Sequence, residues 1–198
     1  NGREGGLMPA RRLYHLARAD FLERVRRHGF LVALLFCVYA GYAFLPPNPS
    51  KYVTLVMDTH RGIYNSAWIG TAVAMLAAAF ISLIGFFVVK NAVERDRRTG
   101  VGQILATTPI SRLQYTLGKT LSNFAVLAAM LLILMAAGVL MILFIGRAPL
   151  EPWALLSPLL LLALPLMALV AAVAVLFDTI PWLRGGLGSV LYFFLFLC

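Results

Sequence analysis

Asp58, His60 and Arg61 lie close together and are the residue types that a metal site or a general acid–base pair would use. One carboxylate beside one imidazole is a sparse set, however, and the spacing fits no ligand motif. The stretch reads as solvated surface or a local ion pair. Cys37 and Cys198 sit in apolar runs far apart in the chain, which makes them small hydrophobes rather than a disulfide or metal framework. No nucleophile stands beside a base as a hydrolase needs. There is no GxxxxGK[ST] loop to cradle ATP phosphates. The polar stretch with internal order is Glu94 to Lys119, ERDRRTGVGQILATTPISRLQYTLGK. Its order suits mechanical work rather than bond chemistry. Glu94, Arg95, Asp96, Arg97 and Arg98 form a charge cluster continuing an apolar helix, and Thr99-Gly100 breaks it. Val101 to Thr107 predicts a short helix with Val101, Ile104 and Leu105 on one face. Thr108-Pro109 stops that helix, and Ser111 can cap the next one. A short helix held between two long ones can carry force into a membrane.

The flanking segments are membrane material. The chain is 61% hydrophobic with net charge +9, and its mean hydropathy is +0.87. A span takes about 20 apolar residues. Four blocks qualify: Gly29 to Leu45, Ala67 to Val89, Leu121 to Ile145 and Trp153 to Phe177. A fifth starts near Gly185 and is still apolar at Cys198, so the chain reads as a fragment. The fold class expected is all-α, a polytopic helical bundle with the loop 90–120 on one side. The first span is too long for a cleavable signal peptide and has no small-residue cleavage site.

Basic residues alternate between loops. Arg3, Arg11, Arg12, Arg18, Arg24, Arg26 and Arg27 precede the first span. Lys90, Arg95, Arg97, Arg98, Arg112 and Lys119 follow the second, and Arg184 follows the fourth. This positive-inside pattern puts the N-terminus and the loop 90–120 in the cytoplasm. The positive charge therefore serves orientation and lipid contact, not nucleic-acid binding.

Residues 1 to 10 are Gly-rich and read as flexible. Arg11 to Arg27 is an amphipathic helix, with Leu13, Tyr14, Ala17, Phe21 and Val25 on one side, interrupted by Arg24. Asp20 falls on the polar side with His15, Arg12, Glu23, Arg26 and Arg27. Lying in the interface it forms an elbow, or it is only a topology-setting basic flank. In the second span Gly70, Ala74, Ala78 and Ser82 form an i, i+4 row for close packing, or merely alanine use in a lipid-facing helix. Gly146, Arg147 and Pro149 make a tight outer turn. Pro158 and Pro165 kink the fourth span. No ionisable residue falls within these span boundaries, unlike the usual proton-driven or ion-coupled carrier. That absence points to an external motor.

RGIYNSAWIGT (Arg61 to Thr71) and KNAVERDRRTGVGQILATTPISRLQYTLGKTLSNF (Lys90 to Phe124) resemble the permease subunit of ABC-2 type ATP-binding cassette transporters. The closest part is the acidic–basic cluster with Glu94 and Asp96, then Gly100, then Leu105 with Pro109, Ile110, Ser111 and Arg112, then Gly118 and Lys119. The resemblance runs from about Arg11 onward. It implies six spans in the family, an elbow helix, and a coupling helix between the second and third spans. It further implies that Gly100, Val101, Gln103, Ile104, Leu105, Pro109 and Arg112 contact a cytosolic ABC ATPase subunit, with Arg95, Arg97, Arg98 and Arg112 meeting acidic groups on that partner or lipid phosphates. A second permease copy or homologous half and membrane lipids complete the assembly. This chain would bind no cofactor; ATP and Mg would sit on the partner ATPase. The chain would be a non-enzymatic permease subunit, acting in export, in a bacterial inner membrane. The alternative is a non-transporting docking or assembly subunit that recruits cytosolic partners.

Overall fold

The computed structural model describes residues 4–44, 56–57, 60–61, 65–98, 100, 111–145 and 149–197. They are helical apart from turns and a two-residue hairpin, in which Val56–Met57 pairs antiparallel with His60–Arg61. The helices are α1 (Glu4–Val25), α2 (His28–Phe44), α3 (Ser66–Leu76), α4 (Ser82–Val89) and α5 (Ala92–Arg98). After them come α6 (Arg112–Ile145), α7 (Pro152–Pro158), α8 (Leu164–Thr179) and α9 (Gly186–Leu197). Three continuous runs are long and apolar enough to cross a membrane: α3 to α5, α6, and α7 to α8. The apolar helices α2 and α9 are shorter. At 17 residues α2 stands at the lower limit of span length. Helix is the form these sequences must take in lipid, where every backbone N–H and C=O has to be satisfied within the segment.

The helix ends are written in side chains. Asn65 accepts from the Trp68 N–H at 2.8 Å and starts α3. Ser111 and Gln114 form a reciprocal capping box at the start of α6: Ser111 Oγ accepts from Gln114 N at 3.2 Å, and Gln114 Oε1 accepts from Ser111 N at 3.1 Å. Pro152 opens α7, where its missing N–H costs nothing. Two π turns, Ala77–Ile81 and Leu159–Ala163, keep α3 continuous with α4 and α7 with α8. The second lies between Pro158 and Pro165, each of which removes a ladder donor. The prolines thus produce a widened turn inside one helix.

Helix α1 packs along the first part of α6, and α6 along α8. Helices α3 and α7 lie side by side, and α2 leans on α6 and α4. The buried core runs through Ile69, Val73, Phe86, Leu127, Met130, Met167 and Ala171. Helix α9 is pinned to α4 by Tyr192. Its ring stacks on Phe86 with centroids 3.5 Å apart, and its hydroxyl donates to the Ser82 carbonyl at 2.8 Å.

Three expectations change. Helix α1 begins at Glu4, inside the glycine-rich stretch expected to be flexible; glycine weakens a helix by about 1 kcal/mol per residue but does not forbid extending one already nucleated. Helices also run past the apolar blocks, so much of the loop 90–120 is α5 and the start of α6. Charged residues therefore do stand on the membrane-length helices, Lys119 among them, at their polar ends. The helix expected over Val101–Thr107, with Gln103, Ile104 and Leu105, lies outside the described residues. So do the stop at Thr108-Pro109, the prolines after Leu45, Asp58, and Gly146 with Arg147.

Candidate functional site

At one end of the bundle the feet of α1, α5, α6 and α8 meet around buried charge. Asp20, on α1, is the centre. Its Oδ1 accepts from Lys119 Nζ at 2.8 Å and from Arg95 Nη2 at 2.9 Å. Its Oδ2 accepts from Arg24 Nη2 at 2.6 Å and from Ser122 Oγ at 2.8 Å. Arg24, 2% exposed, also donates through Nη1 to Asn123 Oδ1 and, at 3.5 Å, to the Val89 carbonyl. Asn123 reaches on to the Ala171 carbonyl of α8 at 3.5 Å. Lys119, also 2% exposed, bridges to Asp96 on α5, with Oδ2 at 2.9 Å and Oδ1 at 3.0 Å. The Tyr115 hydroxyl donates to the same carboxylate at 2.8 Å.

The buried face of α1 is thus Ala17, Asp20 and Arg24, with Phe21 and Val25 at its edge. This corrects the expected stripe: Tyr14 is exposed, and Asp20 faces inward. The i, i+4 spacing of Asp20 and Arg24 was the available signal, since it sets the pair one turn apart on one face. Arg24 is what interrupts the apolar stripe. Ser122 and Asn123, a polar pair opening an apolar run, were the second signal.

A second polar knot ties α8 to the α4–α5 turn. Asn91 there has φ 65°, in the left-handed region. Asp178, fully buried at the end of α8, accepts from Asn91 N at 3.0 Å and Val93 N at 3.2 Å and so caps α5. Arg184 folds back to cap α8, donating to the carbonyls of Asp178 and Thr179 at 2.8 and 2.9 Å.

Of the charges in the sequence motif, Arg95 and Asp96 are turned into the fold, and Glu94 is half-buried. Arg97 and Arg98 close α5, and Gly100 follows with φ 75°, a conformation suited to glycine after a helix end. Arg112 is exposed at the start of α6. The structure therefore joins the two feet of the segment 99–110 through Asp96, Tyr115 and Lys119. Cys37 is buried in α2 as a small apolar side chain. The arrangement has no nucleophile–base geometry among the described residues. What it can do is fix helix ends against one another.

Burial pushes the Asp20 carboxyl up, but the Arg24 and Lys119 charges and the hydrogen bonds from Lys119 and Ser122 outweigh it, so the group sits below the ordinary aspartate range. Burial pulls the Arg24 guanidinium down, and the Asp20 carboxylate opposes it. A carboxyl with a depressed folded pKa contributes stability above its unfolded pKa and loses it as pH falls through the folded value. Amide exchange along α1, corrected for intrinsic rates, is expected to be slow and flat from neutral pH down to the ordinary aspartate pKa of about 3.9, and to quicken below it. Unchanged α1 protection through that acid range would refute the charge anchor.

A family profile described as ABC-2 family transporter protein matches residues 14–196. No curated protein and no solved structure matches the chain. The profile takes in the site and the membrane-length helices together, and the chain belongs to the ABC-2 transporter family as a permease-type integral membrane component.

Proposed function

We propose that this chain is the permease subunit of an ABC transporter, coupling ATP hydrolysis by a separate cytosolic ABC ATPase to export of a substrate. The observation that carries the reading is the clamp at the feet of α5 and α6, where Asp96 holds both Lys119 and Tyr115. The segment between those feet holds Gly100, Val101, Gln103, Ile104, Leu105 and Pro109. A partner pressing on it moves α5 and α6 as one body, and α6 carries the motion along the bundle. Arg112 faces outward for that partner, while Arg95 braces the base through Asp20. In this reading α1 is the elbow helix. Helix α2 and the three membrane-length runs are four spans, and α9 is a further, shorter apolar helix. The N-terminus and the charge cluster are cytoplasmic by the positive-inside rule, in a bacterial inner membrane. ATP and Mg reside on the partner ATPase, and a second permease copy or homologous half completes the path.

The test is to purify the full-length protein from its native membrane in mild detergent. A soluble ATPase is expected to accompany it. Leu105→Asp is expected to release that ATPase, or to leave it bound with hydrolysis no longer linked to transport, without lowering the melting temperature. Normal coupling in Leu105→Asp sinks the lever. Absence of any ATPase from the intact protein leaves a docking or assembly subunit as the better account.

A further inference from the structure

A groove of about 1140 Å³ opens at the charged end, between the α1–α2 junction, the α4–α5 turn and the start of α9. Cations lining it are Arg24, Arg27, Lys90, Arg95 and Arg184, against the single carboxylate of Glu94. Asp20 holds Arg24 and Arg95, and Glu23 holds Arg27 at 2.6 Å. Lys90 and Arg184 differ. Lys90 is buried, and its Nζ donates to neutral acceptors, the Gly185 carbonyl at 3.0 Å and Ser189 Oγ at 2.9 Å, with the Phe86 ring 5.8 Å away and the Asp178 carboxylate near enough to attract it but not bonded to it. Arg184 donates to two backbone carbonyls. A cation withdrawn from water and held by neutral dipoles favours an anion beside it. At the base of the groove Arg24 Nε is buried without a hydrogen-bond partner.

The other wall is apolar. Phe30, Ala33 and Phe36 of α2 face Ile84, Phe87 and Val88 of α4. From Phe30 to Phe36 the helix climbs about 9 Å away from the cations. Gly29, Gly185 and Gly186 line the mouth and face open space, where an added Cβ would meet nothing within 4 Å.

We infer that this groove binds an anionic phospholipid, with its phosphate between Lys90 and Arg184 and an acyl chain along the α2–α4 wall. A soluble anion would leave the apolar wall unused. A zwitterionic lipid would leave the excess positive charge unanswered. The inference goes beyond the permease reading and does not depend on an ATPase partner. Bound there, the lipid would tie α9 and the α1–α2 junction to the turn that precedes α5.

The experiment is native mass spectrometry of the full-length protein titrated with dihexanoyl phosphatidylglycerol, dihexanoyl phosphatidylcholine and glycerol 3-phosphate. One phosphatidylglycerol is expected to bind in clear preference to the other two. Lys90→Gln with Arg184→Gln is expected to weaken it roughly thirty-fold, the weight of two basic side chains at a lipid surface. Gly186→Phe keeps both charges but fills the mouth, and is expected to weaken binding as well, which separates the site from misfolding of the charge variant. Equal binding of the two lipids overturns the inference, as does wild-type affinity in both variants. Glycerol 3-phosphate binding as tightly as the lipid would make this a phosphate site and overturn the acyl-chain half. Failure of the permease reading would appear in ATPase co-purification and leave this titration unaffected.

Discussion

Asp20→Ala is expected to lower stability by about 3–5 kcal/mol and to free α1 from the bundle. The carboxylate separates Arg24, Arg95 and Lys119, and removing it leaves three cations facing one another, two of them almost fully buried. Lys119 keeps Asp96 and Arg95 keeps Glu23, but Arg24 loses its one carboxylate ion pair among the described residues, with Asp178 acting on it only at longer range. Glu23→Gln is the matched control. Glu23 also pairs with Arg95, but its side chain is 52% exposed, so the loss should stay within about 1 kcal/mol. In melting temperature the contrast is roughly 10 °C for Asp20→Ala against a degree or two for Glu23→Gln. Equal, small shifts would mean that the cluster is solvated and that α1 merely rides on α6. The cluster has a further consequence. Lipid tails are as apolar as leucine, so apolar contact alone distinguishes one helix register poorly in a membrane. Charges placed at helix ends supply that discrimination, and here they do so at the base of the segment proposed to receive force.

The apolar blocks were legible because in lipid a long apolar run has only one form available. The capping role of Ser111 was legible too, since Gln114 three residues on completes a local motif. The buried site was less so, for two physical reasons. A hydropathy boundary stops at the first charge, so Lys119 falls outside a span by construction even though its helix continues through it. And a charge looks solvated until its partner is known: Asp178 caps α5 from 87 residues away, and Asp20 meets Lys119 from 99 away. Only the local spacing of Asp20 and Arg24 was visible in the sequence, where Arg24 reads as an interruption of the apolar stripe and Asp20 falls on the polar side. The π turns were invisible for a related reason. Each inserts a residue and shifts the packing face, so Ala77 and Ile81 are buried beside the row, and of Gly70, Ala74, Ala78 and Ser82 it is Ala78, inside the π turn, that is only half-buried.

Gly70→Ala is expected to force α3 and α7 apart, at a cost near the upper end of the roughly 1–3 kcal/mol typical of overpacking. A methyl carbon at Gly70 would stand 2.5 Å from the Leu155 carbonyl oxygen, 2.9 Å from its Cα and 3.0 Å from its carbonyl carbon. All three are backbone atoms, so no rotamer change relieves the clash. One turn earlier Ser66 Oγ accepts from Glu151 N at 2.9 Å, which fixes the two helices side by side and in parallel. One turn later Ala74 is buried, as is Leu159 on the neighbouring run. Ser66, Gly70 and Ala74 thus form a seam along which α3 and α7 run backbone to backbone. Gly85→Ala gives the comparison. Its new methyl would also be close, 2.4 Å from an atom of Leu127, but that atom is the Cδ2 tip of a side chain that can turn away. Melting of the two variants in one detergent should therefore show a loss of several degrees for Gly70→Ala and a smaller one for Gly85→Ala. The reverse order would mean that the α3–α7 seam yields more easily than one leucine rotamer. In the expected order the seam is rigid, and α3 cannot slide on α7. Under the proposed permease reading, movement arriving at α5 would then pass to the bundle through α4 and α6 together, because α3 is locked at its far end.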